Sequence, residues 1–191
     1  MTLRFIQEIK NEITANMPDN SAGLITPAIL RNTLQDMVDS LYNRFAGIFG
    51  DRNAAPVAQP ITTTPTNYPG LYTDQDALDP AVISAAFAAG TVTTLIGGFL
   101  MEGSISFTAD GTNGRVVTAV LAKNGTAIPR FAISQTMSGA GQKKTANIAI
   151  PLLNVTANDV FTMQLSADVG FTPNISEVIL LLQLKPTFSA V

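Results

Sequence analysis

Residues 177–186 read Glu177-Val178-Ile179-Leu180-Leu181-Leu182-Gln183-Leu184-Lys185-Pro186. Side chains alternate between the two faces of an extended strand, so Val178, Leu180, Leu182 and Leu184 share one face. Ile179 and Leu181 make the other face apolar as well. A strand apolar on both faces is buried on both. One face meets the core of its own sandwich. The other needs a further cover: another copy of the chain, a covering loop, or the segment 81–90.

The strands before it have one apolar face each. Ile105 and Phe107 alternate with Ser104, Ser106 and Thr108. Phe131, Ile133 and Gln135 alternate with Ala132, Ser134 and Thr136. Ile148, Ile150 and Leu152 share a face, and Phe161, Met163 and Leu165 alternate with Thr162, Gln164 and Ser166. This is the pattern of half-buried antiparallel strands. Asn124-Gly125 between two such runs signals a two-residue hairpin. Asp110-Gly111, Asn113-Gly114, Gly139-Ala140-Gly141 and Asn158-Asp159 mark further turns. About seven or eight strands result, which suits a sandwich or jelly roll. Asp79-Pro80 followed by Ala81–Ala89 reads as a helix start, with acids near its positive end.

Residues 1–52 have a different period. Leu3, Ile6, Ile9 and Ile13 recur every three to four positions, as on one helix face. Met17-Pro18-Asp19-Asn20 is turn chemistry. Thr26 suits an N-cap and Pro27 the first helical position. Leu30, Leu34, Met37, Leu41 and Ile48 then form a stripe, widened by Val38 and Phe45, and Gly47 and Gly50 close it. Two short amphipathic helices bury both stripes poorly by themselves, and the near-heptad spacing of the second favours association with copies of itself or docking on a partner. The alternative is a helical hairpin within one chain. Residues 53–70 hold prolines and threonines that remove donors and periodicity, so an extended linker of roughly 50 Å is expected at ~3.1 Å per residue. The resulting plan is α+β: a helical anchor and trimerisation segment 1–52, a linker 53–70, and an all-β antiparallel jelly-roll sandwich 71–191.

Composition excludes several classes of function. Charged residues make up 13% of the chain, about half the usual ~25%, which suits a surface covered by other protein. The 11 basic and 14 acidic residues are spread along the sequence without a basic patch, so no nucleic-acid partner is expected. No run approaches the ~20 apolar residues of a membrane span. Charges near Met1 interrupt any signal-peptide core, so synthesis and retention in the cytoplasm until assembly are expected. With no histidine and no cysteine, His- and Cys-based catalysis and metal ligation are removed. Asp74, Asp76 and Asp79 are too irregular for a calcium loop. Tryptophan is absent and the last tyrosine is Tyr72, which leaves no ring platform for a sugar. No catalytic residue, metal or cofactor is expected.

Two stretches resemble known families. Residues 17–41, around Gly23-Leu-Ile25-Thr26-Pro27-Ala-Ile-Leu30-Arg31 and Asp36-Met37-Val38-Asp-Ser40, resemble an N-terminal module of tailed-bacteriophage fibre, head-fibre and decoration proteins. That resemblance implies a non-enzymatic virion protein, made in the host cytoplasm and attached to capsid or tail. Ile25, Thr26, Pro27, Leu30, Leu34, Met37, Val38 and Leu41 would form its anchor or oligomer interface. Val120-Leu-Ala-Lys-Asn124-Gly-Thr-Ala-Ile-Pro129 and Ile150-Pro-Leu-Leu-Asn-Val-Thr-Ala-Asn158-Asp159-Val-Phe-Thr-Met-Gln-Leu165 are similar to trimeric jelly rolls of the complement and tumour-necrosis-factor type. There a Gly-Asp turn recurs where this chain has Asn158-Asp159. Such folds place their final strands near a threefold axis, which implies a homotrimer with Ile179 and Leu181 at its interface. A small capsid-decoration or short-fibre protein is the expectation. The alternative is a receptor-binding tail-fibre tip that uses the turns at Asn113, Asn124 and Gly139.

Overall fold

The computed structural model describes residues 11, 28–32, 34, 44–78, 80, 82–97 and 99–186. The chain divides into two units, Met1–Tyr42 and Asn43–Val191. In the first unit, residue 11, residues 28–32 and residue 34 are helical, which places Leu30 and Leu34 in a helix. Leu30 and its neighbour Ile29 are exposed. Ile25, Thr26, Pro27, Met37, Val38 and Leu41 lie outside the described residues.

The second unit is a two-layer antiparallel sandwich. Its strands are β1 (Arg44–Asp51), β2 (Val57–Ala58), β3 (Thr66–Asn67), β4 (Asp74–Ala77), β5 (Ile83–Ala86), β6 (Thr91–Thr94), β7 (Phe99–Gly111), β8 (Val116–Lys123), β9 (Thr126–Thr136), β10 (Gly139–Val155), β11 (Val160–Ala167) and β12 (Asn174–Pro186). The first sheet runs β10-β7-β12-β1-β4, with β2 also on β12. The second runs β5-β6-β11-β8-β9, with β3 also on β11.

The alternation seen in sequence sets the core. From the first sheet come Ile48, Met101, Ile105, Phe107, Val178, Leu180, Leu182 and Leu184, all buried. Val92, Val117, Leu121, Phe161, Met163 and Leu165 meet them from the second. In β12, Leu180 pairs with Ile105 of β7 and Ile48 of β1, so all three point inward together. At the Asn124-Gly125 hairpin both residues have positive φ, 51° and 79°, as a two-residue turn matched to strand twist requires.

Three expectations are corrected. The helical stripe does not reach residue 52: Arg44–Asp51 is a strand paired with both β12 and β4. Phe45 and Ile48, three apart, fit one face of a helix, whereas in a strand an odd separation puts them on opposite faces. In the strand Ile48 points inward while Phe45 and Phe49 point outward. Gly50 lies inside this strand, because a Cβ there would collide with the carbonyl of Leu71. Residues 53–70 are a strap on the sandwich and no free spacer. Val57–Ala58 pairs with the start of β12, Ile61 is buried and bridges Phe171, and Thr66–Asn67 pairs with β11. Proline removes donors at some positions, yet the intervening N–H groups of Gln59 and Ile61 still bond Pro173 and Phe171. The sandwich therefore begins at its first strand and not at residue 71. Finally, Ile83–Ala86 is a strand and only Phe87–Ala89 a short 3₁₀ turn, so no helix starts at Pro80.

All four sheet edges are blunted. β4 and β5 are four residues long. The long edges β9 and β10 each shift register beside a proline: β9 at Pro129, between the partners of Val120 and Ala122, and β10 at Pro151, between Ile150 and Leu153. A bulge and a missing donor both discourage strand addition.

Because the strap carries a buried core residue, Ile61→Ala should cost about 3 kcal/mol. The urea midpoint should fall with an unchanged slope. A free linker would show no shift.

Candidate functional site

The outward face of the first sheet is apolar at its centre. In β12, Ile179 and Leu181 pair across β1 with Phe49 and Gly47, and Gln183 pairs with Phe45. Phe45, Phe49, Ile179 and Leu181 are all half-buried. Gly47 has a packing role here: a Cβ would stand 2.5 Å from Phe49 Cζ and 3.2 Å from Leu181 Cδ1. Its bare backbone lets the Phe49 ring and Leu181 approach each other. On the other side of β12, Ser104 and Ser106 of β7 lie beside Leu181 and Ile179.

A groove of about 830 Å³ crosses this face, lined by Phe45, Leu78, Leu181, Ala149 and Pro151, with Glu102 and Gln183 as polar members. Leu78 is exposed at one end. No strand of the described sandwich lies over this face, because β5, with residues 83–86, belongs to the opposite sheet. Ile179 and Leu181 thus share one surface, as their alternation implied. Phe45 and Phe49 join them, and the helical reading of residues 44–51 hid both.

The charged groups around the face serve the fold. Lys185 Nζ meets Glu102 Oε1 at 2.6 Å. Glu177 Oε2 accepts from Thr108 Oγ1 at 3.0 Å, and Thr108 and Thr145 share a hydroxyl hydrogen bond of 2.8 Å. Buried Asp110 accepts from Gly141 N–H at 2.7 Å and Asn174 Nδ2 at 2.8 Å, pinning the Gly139–Gly141 turn. Among the described residues no cluster of acidic groups is arranged to hold a metal. Tyr72 is a core ring, and burial pushes its phenol well above the ordinary tyrosine range, so it stays neutral.

Among the described carboxyls Asp159 has the most shifted, and its surroundings explain it. Lys123 Nζ lies 2.6 Å from Oδ2, while Thr156 N–H and Oγ1 donate to Oδ2 at 2.7 and 2.9 Å. Asn124 Nδ2 donates to Oδ1 at 2.9 Å, and Asn124 Oδ1 accepts from Val160 N–H at 2.8 Å. Burial raises the acid's pKa, but Lys123 and these donors outweigh it and bring the value down to about 2. The group is a clasp between the β8–β9 hairpin and the turn into β11. Asn158 beside it has φ 65°, a left-handed conformation that glycine adopts freely and asparagine tolerates. This accounts for asparagine in place of the glycine of the Gly-Asp pattern.

The three turns considered for receptor contact do not form one surface. Gly139 pairs with Gly111, so its turn lies beside Asn113, at the end of the sandwich away from Arg44. Asn124 sits at the opposite end, roughly 25 Å away across the eight residues of β8 at ~3.3 Å each.

No protein-family model and no curated protein matches this sequence. Solved structures do match its fold. The Eiger TNF of S. frugiperda superposes with a TM-score of 0.51 at 10% identity, over 78% of this chain and 97% of that one. The globular domain of the zebrafish complement 1qA protein gives 0.50 at 7% identity, over 77% and 99%. The sandwich is therefore a jelly roll of the tumour-necrosis-factor and complement type.

A depressed acid stabilises the fold above its unfolded pKa, near 3.8, and loses that contribution as pH falls through about 2. Asp159→Asn should lower the melting temperature at pH 6. The gap from the unsubstituted chain should narrow as the pH is taken from 4 to 2. A gap independent of pH would contradict the clasp.

Proposed function

We propose that this chain is a non-enzymatic structural protein that works as a homotrimer, a small capsid-decoration or short-fibre protein of a tailed-phage particle. The observation that carries the reading is the outward face of the first sheet. Phe45, Phe49, Ile179 and Leu181 are side chains of core type on a surface that no described strand of the sandwich covers. Completing their burial would contribute roughly 1 kcal/mol each. Another copy of the chain is the simplest cover, and the jelly-roll fold is one for which the sequence resemblance implies a threefold arrangement.

Attachment to the particle is assigned to the N-terminal module. Its supports are the resemblance carried by Gly23–Arg31 and Asp36–Ser40 and the exposure of Ile29 and Leu30 on their helix. An apolar helix surface of this kind suits a protein partner in the capsid or tail. The scarcity of charge and the absence of any basic stripe support neither nucleic acid nor a membrane surface as a partner. On this reading the protein is made in the host cytoplasm and ends in the virion. Receptor recognition would fall to the turns at Asn113 and Gly139, which the fold puts side by side; binding of the full chain to host cells, abolished by substitutions in those turns, would favour that role over decoration.

Leu181→Asp should weaken self-association by at least about a hundredfold, since the carboxylate would have to be desolvated at the interface. Its melting temperature should stay within a few degrees of the unsubstituted chain, because the side chain points away from the core. Gold-labelled antibody should mark purified particles on their capsids or tails. Particles carrying no copy would overturn the virion role.

A further inference from the structure

Asparagine followed by glycine occurs twice in this chain, at Asn113-Gly114 and Asn124-Gly125. Such a pair reacts slowly with itself in water. The glycine nitrogen attacks the carbonyl carbon of the asparagine side chain, because glycine has no side chain to shield it. The two glycines are alike in this respect. Each has a φ of 79° and open space where a Cβ would stand. Both asparagines are exposed. The difference lies in what holds the two carboxamides.

Asn124 is held at both ends of its side chain. Nδ2 donates to Asp159 Oδ1 at 2.9 Å, and Oδ1 accepts from Val160 N–H at 2.8 Å. Reaction there would break both bonds and set a new carboxylate beside that of buried Asp159, a like-charge contact. The Asn113 side chain has no hydrogen-bond partner among the described residues. Its turn is closed by main chain alone: Arg115 N–H donates to Thr112 O at 3.2 Å and Gly114 N–H to Met137 O at 3.0 Å. Gly114 gives up that bond before its nitrogen reacts, and exposed turns open locally at far less cost than global unfolding. At Asn124 the clasp on Asp159 and Val160 has to release as well.

We infer that Asn113 is a site of spontaneous self-modification, converted to aspartate and isoaspartate, and that the Asp159 clasp shields Asn124 from the same reaction. The Gly114 nitrogen, deprotonated by hydroxide, bonds to Asn113 Cγ. The Cγ–Nδ2 bond breaks, and Nδ2 leaves as ammonia, carrying off in net the proton that Gly114 gave up. Water then adds across one of the two C–N bonds of the resulting imide. Opening on one side gives aspartate; on the other it gives isoaspartate, with the main chain running through Cγ. Water is the only co-reactant. Either product adds a negative charge to the turn beside Arg115. The isoaspartate also lengthens the main chain and shifts Gly114 from its register with Met137. The end of the sandwich that carries the Asn113 and Gly139 turns thus changes with age, while the end that carries Asn124 is spared.

The test incubates the full chain in mildly alkaline buffer, folded and in concentrated urea, and follows both sites by peptide mass spectrometry. Trypsin cuts after Arg115, Lys123 and Arg130, so the two asparagines fall in different peptides. In the folded chain Asn113 should convert at least about tenfold faster than Asn124, which has a charge-assisted hydrogen bond to lose. In urea the two rates should come within about twofold of each other, since the clasp is gone. Asp159→Ala removes the acceptor and should speed Asn124 about tenfold in the folded chain, with circular dichroism reporting whether that variant folds. If it does not fold, the comparison with urea decides alone. Asn124 converting as fast as Asn113 in the folded chain, or no conversion of Asn113 there, would overturn the proposal. So would a tenfold difference that survives in urea, which would trace to neighbouring sequence and not to the clasp.

Discussion

Strand β12 is the constraint on which the sandwich depends. It lies between β7 and β1 and pairs with β7 along its whole length and with β1 from Glu177 to Leu184. Its inward side chains, Val178, Leu180, Leu182 and Leu184, are fully buried and fix the register of both neighbours. A slip of one residue would put Ile179 and Leu181 into the core and turn four core residues outward. In most sheets such a slip is forbidden because it buries polar groups. Here that penalty comes only from the ends of the outward face, Glu177, Gln183 and Lys185, and at its apolar centre discrimination rests on the neighbours. Gly47 and Gly103 leave no room for a Cβ beside β12, where it would meet Leu181 or Leu182, and the Phe49 ring occupies the space above Gly47. The same two-sided composition that endangers register also leaves an apolar surface for another copy of the chain.

Around that centre the molecule controls where further association can occur. Strand addition is discouraged at the edges by shortness in β4 and β5 and by proline beside the register shifts of β9 and β10. What remains open is a sheet face. Polar interactions within the sandwich are spent on its ends and turns: Asp110 on the Gly139–Gly141 turn, Asp159 on the β8–β9 hairpin and the turn into β11. These two buried carboxylates therefore hold loops, and the lowered pKa of Asp159 follows from that work.

The β half of the fold was legible because strict alternation, Asn124-Gly125 and Asn158-Asp159 are local signals with local causes. Ile179 and Leu181 were legible for the same reason. Residues 44–51 were not, since Phe45 and Ile48 fit a helical period and Gly47 and Gly50 resemble a helix stop. Their role as close-approach glycines depends on Phe49, Leu71 and Val178, which local sequence does not place. The strap failed for a related reason. Proline and threonine do remove periodicity, yet single N–H groups between the prolines suffice to bind β11 and β12.

The most direct measurement is the absolute mass of the full chain by size-exclusion chromatography with light scattering, across a wide range of loading concentrations. A mass of three times the 20.1 kDa protomer is expected, falling to that of the protomer in Leu181→Asp, and the pair of results would establish that the face around Leu181 has a copy of the chain as its occupant. A mass of 20.1 kDa at every concentration would contradict self-association and leave that face to a different protein.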